Sequence, residues 1–310
     1  MRHSQLKAFH HVALLGGFSR AAEALFLTQP AISEQVRKLE QDHDVLLFRR
    51  EHKRVTLTDE GERLFLLTKQ YFGIEAQIGE FLTETGAAVG GTLRIIADSA
   101  HHVTDILARF RARYPNVVVS LRTGNTEQVL EDLRAYNAEI GVAGSLSPGR
   151  DMETFSLGST EIIGFAARGL LPDGKRAMRL KDLADWPLIF RETGSKTRQK
   201  LADEAEKHGV ALFPAIEAEG RETVREVVAS GAGIGFVSRA EFGHDDRLVE
   251  IELQDIDISM SETIACLAQR KQVKLIRAFM DVALDGLDQP PNQTNCPPPP
   301  LAPRGKPARA

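Results

Sequence analysis

Hydrophobic positions near the start of the chain recur at helical spacing in three short segments. The first segment stops at Gly16 and Gly17, and Ser19 is the expected N-cap of the second. Thr28 is the expected N-cap of the third, which places Pro30 in its first turn. A proline is tolerated there because its missing N–H would have no partner within the helix. The pattern therefore predicts three helices, and Pro30 begins one of them rather than breaking one.

The third predicted helix has two different faces. Ile32, Val36 and Leu39 form its apolar stripe. The other face offers donors, acceptors and a proline ring, which suit the base edges of a DNA major groove. The candidate DNA-contacting residues on this helix are Gln29, Pro30, Ser33, Glu34, Arg37 and Lys38.

A charged hairpin is predicted next, from strands at 45–48 and 55–58. Its basic residues Arg50, Lys53 and Arg54 would contact phosphates, which gives affinity without sequence preference. Three helices followed by such a hairpin match the layout of a winged helix-turn-helix. The alternative is a structural three-helix bundle with a solvated polar face.

A long helix is predicted from residue 58 to 85, with Thr58 as its N-cap. Apolar residues repeat along it at alternating intervals of three and four, as in a heptad seam. They are Leu64, Leu67, Tyr71, Ile74, Ile78 and Phe81. The seam favours association with a second copy of the chain, and the alternative is packing on the body of the same chain.

Beyond a glycine-rich segment at 86–91, strand-like and helix-like segments alternate. Alternation of this kind predicts a mostly parallel α/β arrangement, here in two small sheets. A strand at 263–268 and a helix at 273–287 are expected to close it. Residues 288–310 hold eight of the 14 prolines and are expected to be disordered.

Charge is distributed unevenly along the chain. The formal net charge is −4, but residues 1–58 hold nine Lys/Arg and six Asp/Glu, so +3 there leaves −7 for the rest. Only the N-terminal segment is therefore expected to meet an anionic partner. Cys266 and Cys296 have no ligand-like spacing, which predicts a reduced, cytoplasmic protein without a structural metal. No apolar run is long enough to cross a membrane.

The motifs "GFSRAAEALFLTQPAIS", "KLE", "LFRR" and "LTDEG" are similar to the DNA-binding segment of LysR-type transcriptional regulators. This resemblance implies a winged helix-turn-helix, a dimerising linker helix and a two-lobed effector domain like a periplasmic solute-binding protein. It also implies a homodimer or homotetramer that binds promoter DNA, responds to a small effector and has RNA polymerase as a further partner. Carried over, Gln29, Pro30, Ser33 and Arg37 fall on base-contacting positions and Arg50 on the wing contact. Glu34 and His52 depart from the family pattern.

The resemblance and the patterning together give the expected domains. They are a winged helix-turn-helix at 1–58, a linker helix at 59–86, a hinge at 87–91, an effector domain at 92–287 and a tail at 288–310. Within the effector domain, lobe 1 is expected at 92–160 and 266–287, and lobe 2 at 161–265.

Four turns, "ADSAHHV", "RTGNTEQ", "RETGSKTR" and "AEGRETVR", follow predicted strands and open predicted helices. In a two-lobed α/β domain such turns face a ligand between the lobes. Their hydroxyls, amides, imidazoles and arginines suit an anion, and the alternative for each single residue is an ordinary helix cap. The candidate effector-binding residues are Ser99, His101, His102, Asn125, Thr126, Ser195, Thr197, Arg198, Arg221 and Glu222.

The same turns resemble the branch of the LysR family that is associated with 2-aminoethylphosphonate catabolism. That resemblance implies this compound, a related phosphonate or a breakdown product as the effector. Arg198, Arg221 and the hydroxyls would hold the phosphonate, and Glu222 or Glu192 would face the ammonium group.

No enzyme activity and no cofactor are expected. "GAGIG" at 231–235 runs from a helix into a strand, the reverse of the order in a dinucleotide-binding loop. His101 and His102 have no carboxylate or cysteine at metal-ligand spacing, so no metal is expected either. Two alternatives stay open: a small-anion-binding module without a DNA-binding role, and a LysR-type regulator of another pathway.

Overall fold

The structure is a computed structural model that describes residues 1–51, 54–82, 89–147, 149–172 and 176–286. Outside these ranges lie the predicted wing-tip residue His52 and its neighbour Lys53, the predicted end of the long helix at 83–85, residues 86–88 of the glycine-rich segment and the tail at 288–310.

Three helices begin the chain, as predicted: α1 (His3–Leu15), α2 (Phe18–Ala24) and α3 (Gln29–Asp42). Thr28 caps α3, since its Oγ1 accepts from the Ala31 N–H at 3.4 Å. The prediction that Ser19 caps α2 is wrong, because Phe18 already belongs to the helix and Gly17 is the N-cap. The helix starts early because Phe18 is buried in the core that the three helices share.

A two-stranded hairpin follows, formed by β1 (Phe48–Glu51) and β2 (Arg54–Leu57). The first strand begins three residues later than the sequence predicts. The Glu40 carboxylate accepts from the backbone N–H groups of Leu47 and Phe48 at 2.9 and 3.2 Å, which ties the preceding segment to α3. Arg50 therefore lies within a strand rather than in the turn.

The long helix α4 (Asp59–Leu82) begins as predicted, with the Gly61 N–H donating to Thr58 Oγ1 at 3.0 Å. Its apolar seam is largely exposed: Leu67 is 60% exposed, Ile74 56% and Ile78 54%. Burying such a stripe against a partner would be favourable by about 25 cal/mol per Å² of apolar surface. The described part of this chain does not cover it.

His10 on α1 packs against α4 and is buried. Thr68 Oγ1 donates to the Phe65 carbonyl at 3.0 Å, so its other contact, 3.0 Å from His10 Nδ1, is one in which the imidazole donates. Burial, with the neighbouring charges of His11 and Lys69, lowers the pKa of His10 to about 4.

The rest of the described chain is a mixed α/β domain. Its strands are β3 (Gly91–Ala97), β4 (Val117–Thr123), β5 (Ile140–Gly144), β6 (Met152–Ala167), β7 (Ala177–Met178), β8 (Leu188–Arg191), β9 (Pro214–Ala218), β10 (Ile234–Ser238), β11 (Leu248–Leu253) and β12 (Ser259–Leu267). Its α-helices are α5 (His101–Arg113), α6 (Thr126–Arg134), α7 (Lys196–Lys207), α8 (Arg221–Ala229), α9 (Arg239–Phe242) and α10 (Lys274–Asp285). Two 3-10 helices lie at Leu180–Asp185 and Ala268–Arg270.

Eight of these ten strands form one continuous path in the order β4-β3-β5-β12-β6-β10-β8-β9, and β11 pairs with β6 and β7 beside it. The 16-residue strand β6 belongs to both lobes, because residues 152–161 pair with β12 and residues 162–166 pair with β10. The sequence pattern missed β6 and β11 and predicted two mostly parallel sheets. The structure differs because β6 and β12 carry the chain between the lobes, and both pair antiparallel to their neighbours.

Each lobe has its own apolar core. Phe110, Ile95 and Phe279 lie at the centre of the first, and Leu188 and Phe236 lie in that of the second. The N-terminal helical domain with a hairpin and the two-lobed α/β domain confirm the predicted fold class.

The linker helix α4 also touches the first lobe. Lys69 Nζ donates to the Ala135 carbonyl at 2.9 Å and to Asn137 Oδ1 at 2.7 Å. Both acceptors directly follow α6, so α4 is bonded to the C-terminal end of that helix. None of the helices within the described ranges is long and apolar enough to span a membrane.

Candidate DNA-binding face and candidate effector cleft

The predicted DNA-contacting residues of α3 lie on its outward face. Ile32, Val36 and Leu39 are buried, as the apolar stripe predicted. Of the outward set, Gln29, Pro30, Arg37 and Lys38 are exposed, and Ser33 and Glu34 are half-buried.

Glu34 forms ion pairs on this face with the two basic residues that follow it. Its carboxylate accepts from Arg37 Nη2 at 2.7 Å and from Arg37 Nε at 3.0 Å, and Lys38 Nζ lies 3.4 Å away. The hydrogen bond from Arg37 lowers the pKa of Glu34. Without DNA, Glu34 therefore occupies donors that Arg37 would use on a base or a phosphate.

A cleft of about 740 Å³ separates the two lobes. The carboxyl ends of β3, β4, β8 and β9 meet there, and the N-termini of α6 and α8 face it from opposite lobes. This is where a ligand is expected in such a sheet. Its lining is charged: Asp98, Arg122, Glu131, Asp132, Arg191, Glu192, Glu219, Arg221 and Glu222, with the polar residues Thr123, Asn125, Gln128 and Thr223 and the glycines Gly124 and Gly220.

Four of the predicted effector residues come together in or beside the cleft. Asn125, Arg221 and Glu222 line it. Ser99 is buried behind Arg221, whose Nη2 donates to the Ser99 hydroxyl. Asn125 also caps α6 and donates to the Thr193 carbonyl of the opposite lobe at 3.3 Å.

The other predicted effector residues do not line the cleft. Thr126 is buried and donates to the Gly144 carbonyl at 3.3 Å, and Arg198 pairs with Glu217 at 2.5 Å. His101 and His102 line a separate cavity of about 320 Å³. Ser195 is the buried N-cap of α7, and Thr197 follows it in the first turn.

Several cleft residues were missing from the predicted set. Asp98, Arg122 and Arg191 stand where their strands end, inside turns that the sequence had singled out, and Glu192, which the sequence offered only as an alternative ammonium partner, follows Arg191. The predicted set favoured polar residues that can cap the start of a helix. These four residues are instead charged residues at the ends of strands, and that feature could have identified them.

Each cleft arginine is already paired with a carboxylate. Arg122 contacts Asp132 at 3.0 Å, Arg191 contacts Glu192 at 2.7 Å and Arg221 contacts Glu241. Although burial opposes it, Arg191 lowers the pKa of Glu192, whose Oε2 also accepts from the Gly220 N–H at 3.0 Å. Paired guanidinium groups keep further N–H donors for a ligand, since each has five.

A buried group of charged residues, which we call the lobe-interface cluster, lies below the cleft. It consists of Asp98, His102, Arg221, Glu241 and Glu262. His102 Nε2 is 2.8 Å from Glu241 Oε1 and 3.2 Å from Glu262 Oε1, and all three side chains are at most 10% exposed. Sequence spacing could not show these carboxylates around His102, because they lie more than 130 residues away along the chain.

The pKa values in the cluster follow from this packing. Burial opposes a charged imidazole, but the bonds to Glu241 and Glu262 outweigh it and raise the pKa of His102 to about 10. Glu241 is buried too, yet His102 and Arg221 lower its pKa to about 2. Burial and the nearby carboxylates raise the pKa of Asp98 to about 7.

Two family models match the chain. Residues 3–62 match the bacterial regulatory helix-turn-helix of the lysR family, and residues 86–288 match the LysR substrate binding domain. The transcriptional regulator CfxR of Cupriavidus necator is 31% identical over 257 residues, which cover 81% of this chain and 80% of CfxR.

Solved structures with the same fold include a full-length OxyR variant of Pseudomonas aeruginosa, with a TM-score of 0.74, 19% identity and coverage of 91% of this chain and 94% of that chain. The CcmR regulatory domain of Synechocystis in complex with 2-PG has a TM-score of 0.58 and 22% identity, and covers 64% of this chain and 98% of that chain. The family matches, which together span both domains, lead to one conclusion. The chain belongs to the LysR family of DNA-binding transcriptional regulators with an effector-binding domain.

Proposed function

We propose that this regulator reads its operator through α3 and the β1–β2 hairpin and responds to a small zwitterion that binds in the cleft. A homodimer formed along α4, its pairing into a homotetramer and contact with RNA polymerase complete the proposal. The charged cleft between the lobes is the observation that carries the choice of effector.

The operator is expected to be contacted by the outward face of α3. Gln29, Pro30, Ser33 and Arg37 are the proposed base contacts, with Lys38 and the hairpin's Arg50, Lys53 and Arg54 on phosphates. Arg37→Gln should weaken binding to the chain's own upstream DNA by about 1–3 kcal/mol and leave unrelated DNA unaffected. Fluorescence anisotropy at two salt concentrations measures both, and an equal loss on all sequences would make Arg37 a phosphate contact.

Glu34 offers a second test of the same face. Glu34→Gln removes the carboxylate that holds Arg37, so affinity for unrelated DNA should rise about threefold, as expected when a negative charge leaves the phosphate surface. Discrimination in favour of the operator should fall if Glu34 accepts from a cytosine amino group. Unchanged binding to both DNAs would remove Glu34 from the interface.

The cleft favours a ligand with both signs of charge. Arginines from both lobes and the N-termini of α6 and α8 suit an anionic group. Glu131, Glu219 and Glu222 add negative charge to the same walls, which suits an amine. Glu222 is the proposed ammonium partner because its side chain is 73% exposed and its contact with Arg221, at 4.0 Å, is too long for a hydrogen bond. Its carboxylate is therefore available to an amine.

2-Aminoethylphosphonate has this combination of groups and is the proposed effector. The CcmR domain was solved with 2-PG, but at that level of identity the likeness carries the fold alone. The names of the relatives given above do not mention phosphonates, so the proposal depends on the cleft and on the turns quoted from the sequence.

Isothermal titration of the full chain tests the effector. 2-Aminoethylphosphonate should bind at least tenfold more tightly than ethylphosphonate, which lacks the amine, or ethanolamine, which lacks the anion. Arg122→Gln should weaken binding, whereas Arg134→Gln, which breaks a similar exposed pair with Asp151 outside the cleft, should not. Absence of heat with 2-aminoethylphosphonate and its aldehyde product would remove the phosphonate proposal.

The dimer is tested on α4. Ile74→Asp should shift the sedimentation of the chain to that of a smaller species, because a charge would enter the proposed apolar interface. Leu14→Asp on α1 is the matched control, with 51% exposure against 56% for Ile74. Equal sedimentation of both variants and the native chain would rule out this surface.

A further inference from the structure

We propose that the lobe-interface cluster binds one divalent transition metal ion of the Zn²⁺ or Mn²⁺ kind, with Asp98, His102 and Glu241 as ligands. Such a site goes beyond the proposed effector response, and its metal is distinct from the small organic ligand proposed for the cleft.

The geometry of three ligand atoms carries the proposal. One oxygen of Asp98, one ring nitrogen of His102 and one oxygen of Glu241 all lie within 4.8 Å of one another. Ligands at about 2.0–2.2 Å from a zinc ion are about 3–4 Å apart. A contraction of about 1 Å would therefore bring the three onto one ion.

Two buried oxygens in the cluster have no hydrogen-bond partner among the described residues: Asp98 Oδ1 and Glu262 Oε2. Glu262 is only 5% exposed, and its other oxygen lies 3.2 Å from His102 Nε2. An unpartnered buried carboxylate oxygen is costly, and a bound cation removes that cost. Glu262 is thus placed to be a fourth ligand.

The charges of the cluster also call for a cation. Asp98, Glu241 and Glu262 bring three carboxylates into a buried space whose cations are the Arg221 guanidinium and the His102 imidazolium, so one negative charge is left over when all three carboxylates are ionised. A divalent ion that displaces the His102 proton would balance the group. Arg221 contacts both Glu241 and Ser99, so it would orient the Glu241 carboxylate from outside the coordination sphere.

The choice of metal follows from the ligands. An imidazole with two or three carboxylates suits Zn²⁺ or Mn²⁺ better than Mg²⁺, which prefers oxygen ligands alone. Asp98 also lines the cleft, which gives an ion a route from solvent. Because His102 lies on α5, Glu241 on α9 and Glu262 on β12, a bound ion would connect the two lobes.

Metal uptake by the full chain tests the proposal. Protein stripped with EDTA and dialysed is titrated with Zn²⁺, Mn²⁺ or Mg²⁺ by calorimetry, with the metal content read by mass spectrometry after equilibrium dialysis. One Zn²⁺ or Mn²⁺ per chain is expected, with a higher midpoint of thermal unfolding and at least tenfold weaker binding of Mg²⁺.

His102→Gln and Glu241→Gln should each weaken binding about 100-fold. The matched controls His101→Gln and Asp105→Asn alter an exposed imidazole and an exposed carboxylate on the same helix as His102, and should bind metal as the native chain does. Uptake that survives in His102→Gln would show that surface histidines bind the ion and would overturn the proposal. No uptake at micromolar metal would overturn it as well.

A variant with a side chain of the same shape distinguishes loss of metal binding from loss of the fold. Asp98→Asn keeps an acceptor for the Gly144 N–H, which Asp98 Oδ2 accepts at 2.7 Å. The d–d absorption of bound Co²⁺ should be present in the native chain and weak in Asp98→Asn, while circular dichroism stays unchanged. Equal absorption in both would exclude Asp98 as a ligand and overturn the three-residue site. All these measurements are made without effector, so their failure leaves the effector proposal standing.

Discussion

The N-terminal domain and the lobe interface each bury a histidine, and the pKa values of the two imidazoles are shifted in opposite directions. His10 lies among the rings of Phe65 and Phe72 with Lys69 nearby, and its pKa falls to about 4. His102 lies between two carboxylates, and its pKa rises to about 10. Both are nearly inaccessible to solvent. Burial alone therefore does not decide the charge of a histidine; the carboxylates within bonding distance do.

Removing His102 should have the largest effect. His102→Ala removes the cation that bonds to Glu262 and Glu241, so that Glu241 keeps Arg221 and Glu262 loses its ion pair. An uncompensated buried charge costs about 3–5 kcal/mol. Urea unfolding in the presence of EDTA, followed by the fluorescence of the sole tryptophan, Trp186, measures the loss. His101→Ala is the control and should stay within about 0.5 kcal/mol. A loss below 1 kcal/mol for His102→Ala would mean that the two carboxylates do not need its charge.

Acid should destabilise the N-terminal domain through His10. Its folded pKa is about 4 against 6.5 when unfolded, so between these values the unfolded chain binds more protons. Stability is therefore full above pH 6.5 and falls as the pH is lowered towards 4, by about 3 kcal/mol in total. His102, whose folded pKa lies above 6.5, is protonated in the folded state throughout this window and should not contribute such a loss.

Urea unfolding at pH 7 and pH 4.5, followed by far-ultraviolet circular dichroism, compares the native chain with His10→Gln. The variant should lose less stability than the native chain between the two pH values, and the difference isolates His10 from other titrating groups. His11→Ala should behave as the native chain does. Parallel losses in native chain and His10→Gln would assign the acid sensitivity elsewhere.

The smallest effect is expected from the hydroxyl that faces His10. Thr68→Val leaves the His10 Nδ1–H without its acceptor, which costs about 1–2 kcal/mol for a buried donor. Thr104→Val is the matched control, since Thr104 makes a similar bond to a carbonyl three residues earlier but is exposed. Equal losses for the two variants would show that the buried imidazole gains nothing from Thr68.

The two domains also differ in how well their sequence predicted them. The N-terminal helices are determined by residues three or four apart, such as the caps at Thr28 and Thr58 and the stripe of α3, so local patterns sufficed. The turns of the effector domain were found for the same reason. The order of the strands and the antiparallel pairing of β12 depend on contacts between distant segments, and periodicity contains no information about those.

Strand β6 shows where pattern reading fails. Its first ten residues are mostly half-buried or exposed and its last six are all buried, so no single alternation runs through its 16 residues. The sequence pattern also misses the lobe-interface cluster, but for a different reason: His102 contacts Glu241 and Glu262 only when both lobes have formed. Charged residues at strand ends were visible in the sequence, but their pairing was not.

The short helix α6 connects the cleft to the linker helix α4. Its N-cap, Asn125, lines the cleft, and its C-cap, Ala135, offers the carbonyl that accepts from Lys69. Its nine residues form a rigid rod of about 13 Å. Lys69 is the neighbour of Thr68, which bonds to His10 in the DNA-binding domain. A ligand that tilts the N-terminal end of α6 would therefore displace its C-terminal end. Two hydrogen bonds, that of Lys69 to Ala135 and that of Thr68 with His10, connect this end to the helices that carry the recognition face.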